Sequence, residues 1–70
     1  MRYLITDPVC YKSIRRTFAV FTELGLPTDD EGMRAEIGRL LGRTVGSRRD
    51  LQAGDWVLAA DRAQREAFAH

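Results

Sequence analysis

Apolar residues recur at helical spacing in three separate segments of the chain. The first stripe consists of Tyr11, Ile14, Phe18, Phe21 and Leu24, and the second of Met33, Ile37, Leu40 and Leu41. The third places Trp56, Ala60, Ala63 and Ala67 on one side of the segment WVLAADRAQREAFA. Because a spacing of three or four residues puts side chains on one face of a helix, this pattern predicts three amphipathic helices.

Residues typical of helix ends separate these stripes. Pro8 suits the first position of a helix, and Gly25 and Gly42 suit the position just beyond a helix end. Thr28 followed by Glu31 indicates a capping box at the start of the second helix. Within a single domain over residues 1–70, we therefore predict helices at 8–25, 28–42 and 53–69.

The first residues do not continue the helical pattern. Tyr3, Leu4 and Ile5 favour extended backbone, but no second strand is available to pair with them. We predict that residues 1–7 form an arm and a helix cap. The expected fold class is all-α, a small three-helix domain with a short extended N-terminal arm. Gly38, inside the second helix, is expected to allow close approach of the first helix.

The stretch IGRLLGRTVGSRRDL, residues 37–51, has two interpretations. A helix-turn-helix with Gly42 in the turn would place Arg43 and Arg48 at core positions, and burying an unpaired guanidinium is costly. The alternative is an ordered loop or short turn over 43–52. Val45 and Leu51 then face inward and the arginines stay in water. We prefer the loop.

The same stretch carries a family resemblance. It follows the pattern GR-x-V-x-S-x-x-D-L that joins two helices in a helical module of bacteriophage proteins, and the order of the helices resembles that module from about residue 5 to 68. The module occurs in Mu-type GemA-like regulators and in segments accompanying phage recombination and annealing proteins. The chain departs from the pattern where Gln52, Asp55 and Trp56 replace Thr, Glu and Ala. The resemblance implies a phage-encoded accessory to DNA metabolism or host takeover, with no catalytic residue to transfer.

Composition gives catalysis little support. Cys10 is the only cysteine of the 70 residues and His70 the only histidine, so we expect no disulfide, metal or cofactor and no enzyme. The acidic run from Asp29 to Glu31 is explained by the electrostatics of a helix start. No apolar run reaches the roughly 18 residues that a membrane span needs. We expect a cytoplasmic protein, in the host cell cytoplasm if it is phage-encoded.

Two surfaces are candidates for binding. The net charge is only +1, but the basic residues Arg39, Arg43, Arg48 and Arg49 cluster in one stretch and could hold phosphates. The candidate protein interface consists of Tyr3, Leu4, Ile5, Trp56 and Leu58, an apolar set larger than one small core needs.

These features favour a non-enzymatic interaction module that binds a host or phage protein of nucleic-acid metabolism or defence, as an accessory or an inhibitor. A helix-turn-helix transcriptional regulator is the alternative, and a virion component is a third class. Nucleic-acid binding and homodimer formation both remain open at this point, and no membrane partner is expected.

Overall fold

The part of the protein that the structure describes is all-helical. The computed structural model describes the backbone of residues 8–69 and the side chains of residues 11–69. The elements are α1 (Pro8–Leu24), α2 (Asp30–Leu41), a single 3-10 turn (Arg48–Asp50) and α3 (Ala53–Phe68), with no strand in this range. The predicted arm, with Tyr3, Leu4 and Ile5, lies outside the described residues.

Helices α1 and α2 end in the same way. Gly25 and Gly42 follow the last helical residues and have φ angles of 74° and 73°, a left-handed conformation that glycine adopts without strain. At the end of α1, the backbone N–H of Leu26 donates to the carbonyl of Phe21 at 2.8 Å. At the end of α2, the N–H of Arg43 donates to the carbonyl of Gly38 at 3.0 Å. Both ends are Schellman motifs, which satisfy carbonyls that the helix leaves without partners.

Helix α2 begins two residues later than predicted. The capping residue is Asp29, whose side chain accepts a hydrogen bond from the backbone N–H of Gly32 at 3.0 Å. Asp30 and Glu31 then occupy the first turn, where negative charge is favourable. The predicted capping box on Thr28 is therefore wrong: aspartate caps as well as threonine does, and the neighbouring position has the cap geometry.

The start of α3 depends on Asp55. The backbone N–H of Gln52 donates to the carboxylate of Asp55 at 2.9 Å, and the N–H groups of Asp55 and Trp56 donate to the carbonyl of Gln52. The carboxylate thus satisfies a backbone donor just before the helix, the role expected of the acidic residue in a capping box. Gln52, Asp55 and Trp56 therefore form an ordered start of α3.

The core lies mainly between α1 and α3. Its buried apolar residues are Val20, Phe21, Met33, Ile37, Leu40, Val45, Leu51, Ala53, Trp56, Ala59, Ala60 and Ala63. Four of them are alanines on α3, and small side chains let two helices approach closely. Because Thr17 contacts Trp56 while Leu24 shares a cleft with Ala63 and Ala67, α1 and α3 run in the same direction.

Thr17 is the buried polar residue at this helix pair. Its side chain is 0% exposed, and its hydroxyl lies 2.8 Å from two carbonyl oxygens, that of Ser13 on α1 and that of Trp56 on α3. A buried hydroxyl needs a hydrogen-bond acceptor, and the second carbonyl belongs to the neighbouring helix. Thr17 therefore helps to set the position of α1 along α3.

Residues 42–47 contain no helix, and the 3-10 turn that follows has a single turn. Val45 and Leu51 are buried in the core, whereas the side chains of Arg43 and Arg48 are 46% and 38% exposed. Ser47 caps the turn by accepting from the N–H of Arg49 at 3.2 Å. A second helix of a helix-turn-helix is absent from this stretch, because burying the two arginines would cost more than forming the loop.

Gly38 contacts this loop rather than α1, so the expectation for it is wrong. A Cβ atom at position 38 would lie 2.6 Å from the carbonyl oxygen of Arg43. The left-handed turn at Gly42 folds the chain back across α2, and only a glycine leaves room for the returning backbone. The small residue in α2 therefore serves the connection to α3.

Candidate functional site

Arg39 lies between two carboxylates. Its terminal nitrogens donate to both oxygens of Glu66 on α3, at 3.1 and 2.8 Å, in a forked arrangement. It also pairs with Glu36, one turn earlier on α2. The hydrogen bonds to Glu66, and after them those to Glu36, raise the pKa of Arg39 above its ordinary value. The fork ties the end of α2 to the end of α3 and occupies the donors that a phosphate would need.

Two further arginines of the predicted basic surface also hold carboxylates. Arg43 contacts Asp55 at 2.9 Å, and Arg48 contacts Asp30 at 2.8 Å. Asp30 also accepts from Arg34 at 3.2 Å, and Arg34 in turn donates to the carbonyl of Gly46 at 2.9 Å. These arginines link α2, the loop and α3 to one another.

Arg49 is the member of the predicted set whose side chain has no ion pair among the described residues. With Arg49 included, the surface has five guanidinium groups, of Arg34, Arg39, Arg43, Arg48 and Arg49. Four carboxylates pair with the first four of them: Asp30, Glu36, Asp55 and Glu66. The surface therefore carries little net charge. Asp55 and Glu66 were missed as partners because they lie on α3, far along the chain, whereas the i,i+3 spacing of Glu36 and Arg39 is visible in the sequence.

The basic residues of α1 do not extend this surface. Arg16 pairs with Asp61 on α3 at 3.1 Å, and Arg15 lies 5.7 Å from the ring centre of Tyr11. Asp61 and Glu66 are five residues apart, which is roughly 140° around a helix. Arg16 of α1 and Arg39 of α2 therefore contact different sides of α3.

The predicted apolar interface is only partly at the surface. Trp56 is 1% exposed and its ring stacks on that of Phe18, with centroids 6.4 Å apart, so its assignment to an interface is wrong for the described part of the chain. A ring of this size on the stripe that faces α1 fills the core. Its indole N–H has no acceptor among the described residues. Val20, which lies away from the main stripe of α1, is buried as well.

Leu58 is 40% exposed, and it belongs to a larger surface that we call the α3 outer face. Its members are Val57, Leu58, Asp61, Gln64, Arg65 and Phe68, which span an arc of about 120° at 100° per residue. Val57 is 37% exposed and Phe68 is 83% exposed. Asp61, Gln64, Arg65, Phe68 and Ala69 line a shallow cleft here. Phe68 was missed because the periodicity of α3 predicts its buried side better than its exposed apolar residues.

The described residues hold no group of three or more His, Cys, Asp or Glu side chains placed to bind a metal ion. The side chains of Cys10 and His70 lie outside the described residues. Within residues 8–69, no helix combines the length and apolar character needed to cross a bilayer. The α3 outer face and the largely paired basic surface are thus the candidate functional features.

Comparison with protein-family models, curated proteins and solved structures finds no match to this chain. The resemblance to the phage module therefore depends on the quoted sequence pattern alone.

Proposed function

We propose that the chain is a small non-enzymatic module that binds another protein through the α3 outer face. The observation that carries this proposal is a contrast between the two surfaces. Arg39, Arg43 and Arg48 are engaged with carboxylates of the same chain, whereas Val57, Leu58 and Phe68 have exposed apolar area. Exposed apolar side chains on the same face as a few charged groups are typical of a protein-binding surface.

The sequence pattern supports the wider setting of this proposal. Residues 42–51 resemble the module of phage DNA-metabolism accessory proteins, so the proposed partner is a host or phage protein of nucleic-acid metabolism or defence. The module acts on that partner as an accessory or an inhibitor, in the cytoplasm of the host cell. Catalysis forms no part of this proposal.

A pull-down from bacterial lysate tests the proposal, with and without nuclease treatment. We expect the tagged chain to recover one protein in stoichiometric amount under both conditions. Phe68→Ser, which removes the most exposed apolar side chain of the face, should abolish that recovery. Tyr11→Ser is the matched control, because it removes a 51% exposed aromatic ring from α1. Recovery that disappears with nuclease, or that Phe68→Ser leaves unchanged, would contradict the proposal.

A further inference from the structure

We propose that the α3 outer face also binds a second copy of this chain, with the two α3 helices antiparallel around a two-fold axis. This inference rests on the proposed function in one respect: it uses the same surface and names a partner for it. The apolar residues lie towards the two ends of the face, Val57 and Leu58 at one end and Phe68 at the other, with charged and amide groups between them.

Two-fold symmetry requires that if one residue contacts another across the interface, the reverse contact also occurs. With the axis level with Ala63, Leu58 faces Phe68 of the second copy, because the two lie five residues on either side of position 63. In the same register Asp61 faces Arg65, since each lies two residues from that position. One register therefore pairs both the apolar ends and the opposite charges.

The charges in this register are free to pair. Arg65 has no carboxylate within ion-pair distance among the described residues, although Asp61 is only one helical turn away. Asp61 uses Oδ1 to bind Arg16 at 3.1 Å, and the Asp61 side chain is still 45% exposed, with no ion pair at Oδ2 among the described residues. Arg16 thus holds the carboxylate in place while the second oxygen stays open to a guanidinium from outside. Arg65 of the second copy supplies that group, and symmetry forms the pair twice.

The size of the face indicates a weak dimer. Sixteen residues of α3 extend about 24 Å at 1.5 Å per residue. Two helices of this length packed along one face bury an area at or below the roughly 1,200 Å² that marks the small end of specific interfaces. We therefore expect a dissociation constant in the micromolar range or weaker, and a monomer–dimer equilibrium that responds to concentration.

Sedimentation equilibrium of the purified full chain tests the arrangement through charge reversal. Arg65→Glu places like charges opposite each other, and so does Asp61→Arg. Each variant alone should dimerise at least ten times more weakly than the unaltered chain. An equimolar mixture of the two should recover dimer, because the heterodimer restores two opposite-charge pairs. Arg49→Glu is the matched control: it makes the same change at another unpaired arginine and should leave the equilibrium unchanged.

A second variant keeps the test independent of the Arg16–Asp61 pair, which Asp61→Arg breaks. Phe68→Ser removes an 83% exposed ring and no core contact, so it should weaken the dimer while leaving helix content unchanged by circular dichroism. A chain that stays monomeric at millimolar concentration overturns the inference, and so does a dimer that tolerates both Arg65→Glu and Phe68→Ser. Capture of a lysate protein by a monomeric chain would refute self-association alone. A dimer that captures nothing would refute the proposed function alone.

Discussion

Individual atoms determine how the elements of this chain fit together. The hydroxyl of Thr17 is fully buried and lies 2.8 Å from a carbonyl oxygen on each of two helices, so it helps to set where α1 lies along α3. The missing side chain of Gly38 leaves space for the carbonyl of Arg43. Both contacts involve backbone oxygens, which cannot move away without disturbing a helix end or the loop. Substitutions at these positions therefore have little room for relaxation.

Gly38→Ala should destabilise the fold even though alanine favours helices. The new Cβ would lie 2.6 Å from the carbonyl oxygen of Arg43, so α2 or the loop must shift. We expect the free energy of unfolding to fall by about 1–3 kcal/mol, the usual cost of overpacking, as measured by urea denaturation.

Gly54→Ala is the control for this substitution. A Cβ at position 54, in the first turn of α3, meets nothing within 4 Å. Its stability should stay the same or rise by up to about 1 kcal/mol, because only the helix preference changes. Equal free energies of unfolding for Gly38→Ala and Gly54→Ala would show that the loop leaves room for a side chain at position 38.

The elements depend on caps as much as on their apolar stripes. Schellman motifs at Gly25 and Gly42 end α1 and α2, Asp29 begins α2, and Asp55 supports the start of α3. Each cap satisfies backbone groups that the helix cannot satisfy by itself. In a chain of 70 residues such local contributions are a large share of stability, because a small core supplies only ~3–5 kcal/mol.

Asp29→Ala should therefore weaken α2. The substitution removes the acceptor for the N–H of Gly32, and the loss of a capping side chain costs about 1 kcal/mol. Asp29→Asn should retain most of the stability, since asparagine caps equally well. Thr28→Ala serves as the comparison and should change stability by less than about 0.5 kcal/mol in thermal or urea unfolding. A larger loss from Thr28→Ala would place the cap at residue 28 instead.

At the scale of the whole molecule, ion pairs connect α1, α2 and the loop to α3. Arg39 joins α2 to α3 through Glu66, Arg43 joins the loop to α3, and Arg16 joins α1 to α3. These pairs are partly exposed, so each contributes modestly to stability. Their larger consequence is electrostatic: they engage most arginines of the basic surface with carboxylates, in a molecule whose formal net charge is only +1.

Binding to nucleic acid should consequently be weak and indifferent to sequence. With few unpaired cations available, the slope of log affinity against log salt should have a magnitude of about 1–3, at 0.9 per phosphate neutralised. Gel shifts with a specific and a scrambled duplex at two salt concentrations measure both properties, and Arg49→Glu should reduce any residual binding. Selective binding to one duplex that survives physiological salt would instead favour the transcriptional-regulator alternative.

Much of the architecture follows from short-range patterns in the sequence. Three stripes at helical spacing indicate the helices, and the two glycines mark the ends of α1 and α2. The cost of burying Arg43 and Arg48 favours a loop or short turn over a second α-helix in that stretch. Each inference concerns neighbours within about four residues, where backbone geometry limits the alternatives. The cap on α2 was misplaced by one residue, because threonine and aspartate satisfy the same donors.

The candidate site could not be predicted to the same extent. Trp56 could fill a core or anchor an interface, since a large aromatic ring suits both, and its burial depends on how α1 packs against α3. The arginines appear free in the sequence because Asp55 and Glu66 come close to them only after α3 has packed against α2 and the loop. Likewise, periodicity does not show that Val57 and Phe68 belong to an exposed apolar face.

By itself, then, the sequence determined the number of helices, their approximate bounds and the solvent exposure of the loop arginines, because these follow from local hydrogen bonding and from the cost of desolvating a charge. Tertiary structure decided which charges are neutralised, which apolar residues are covered and why position 38 is glycine. Those properties depend on contacts between residues distant in the chain, whose free energies no local pattern encodes.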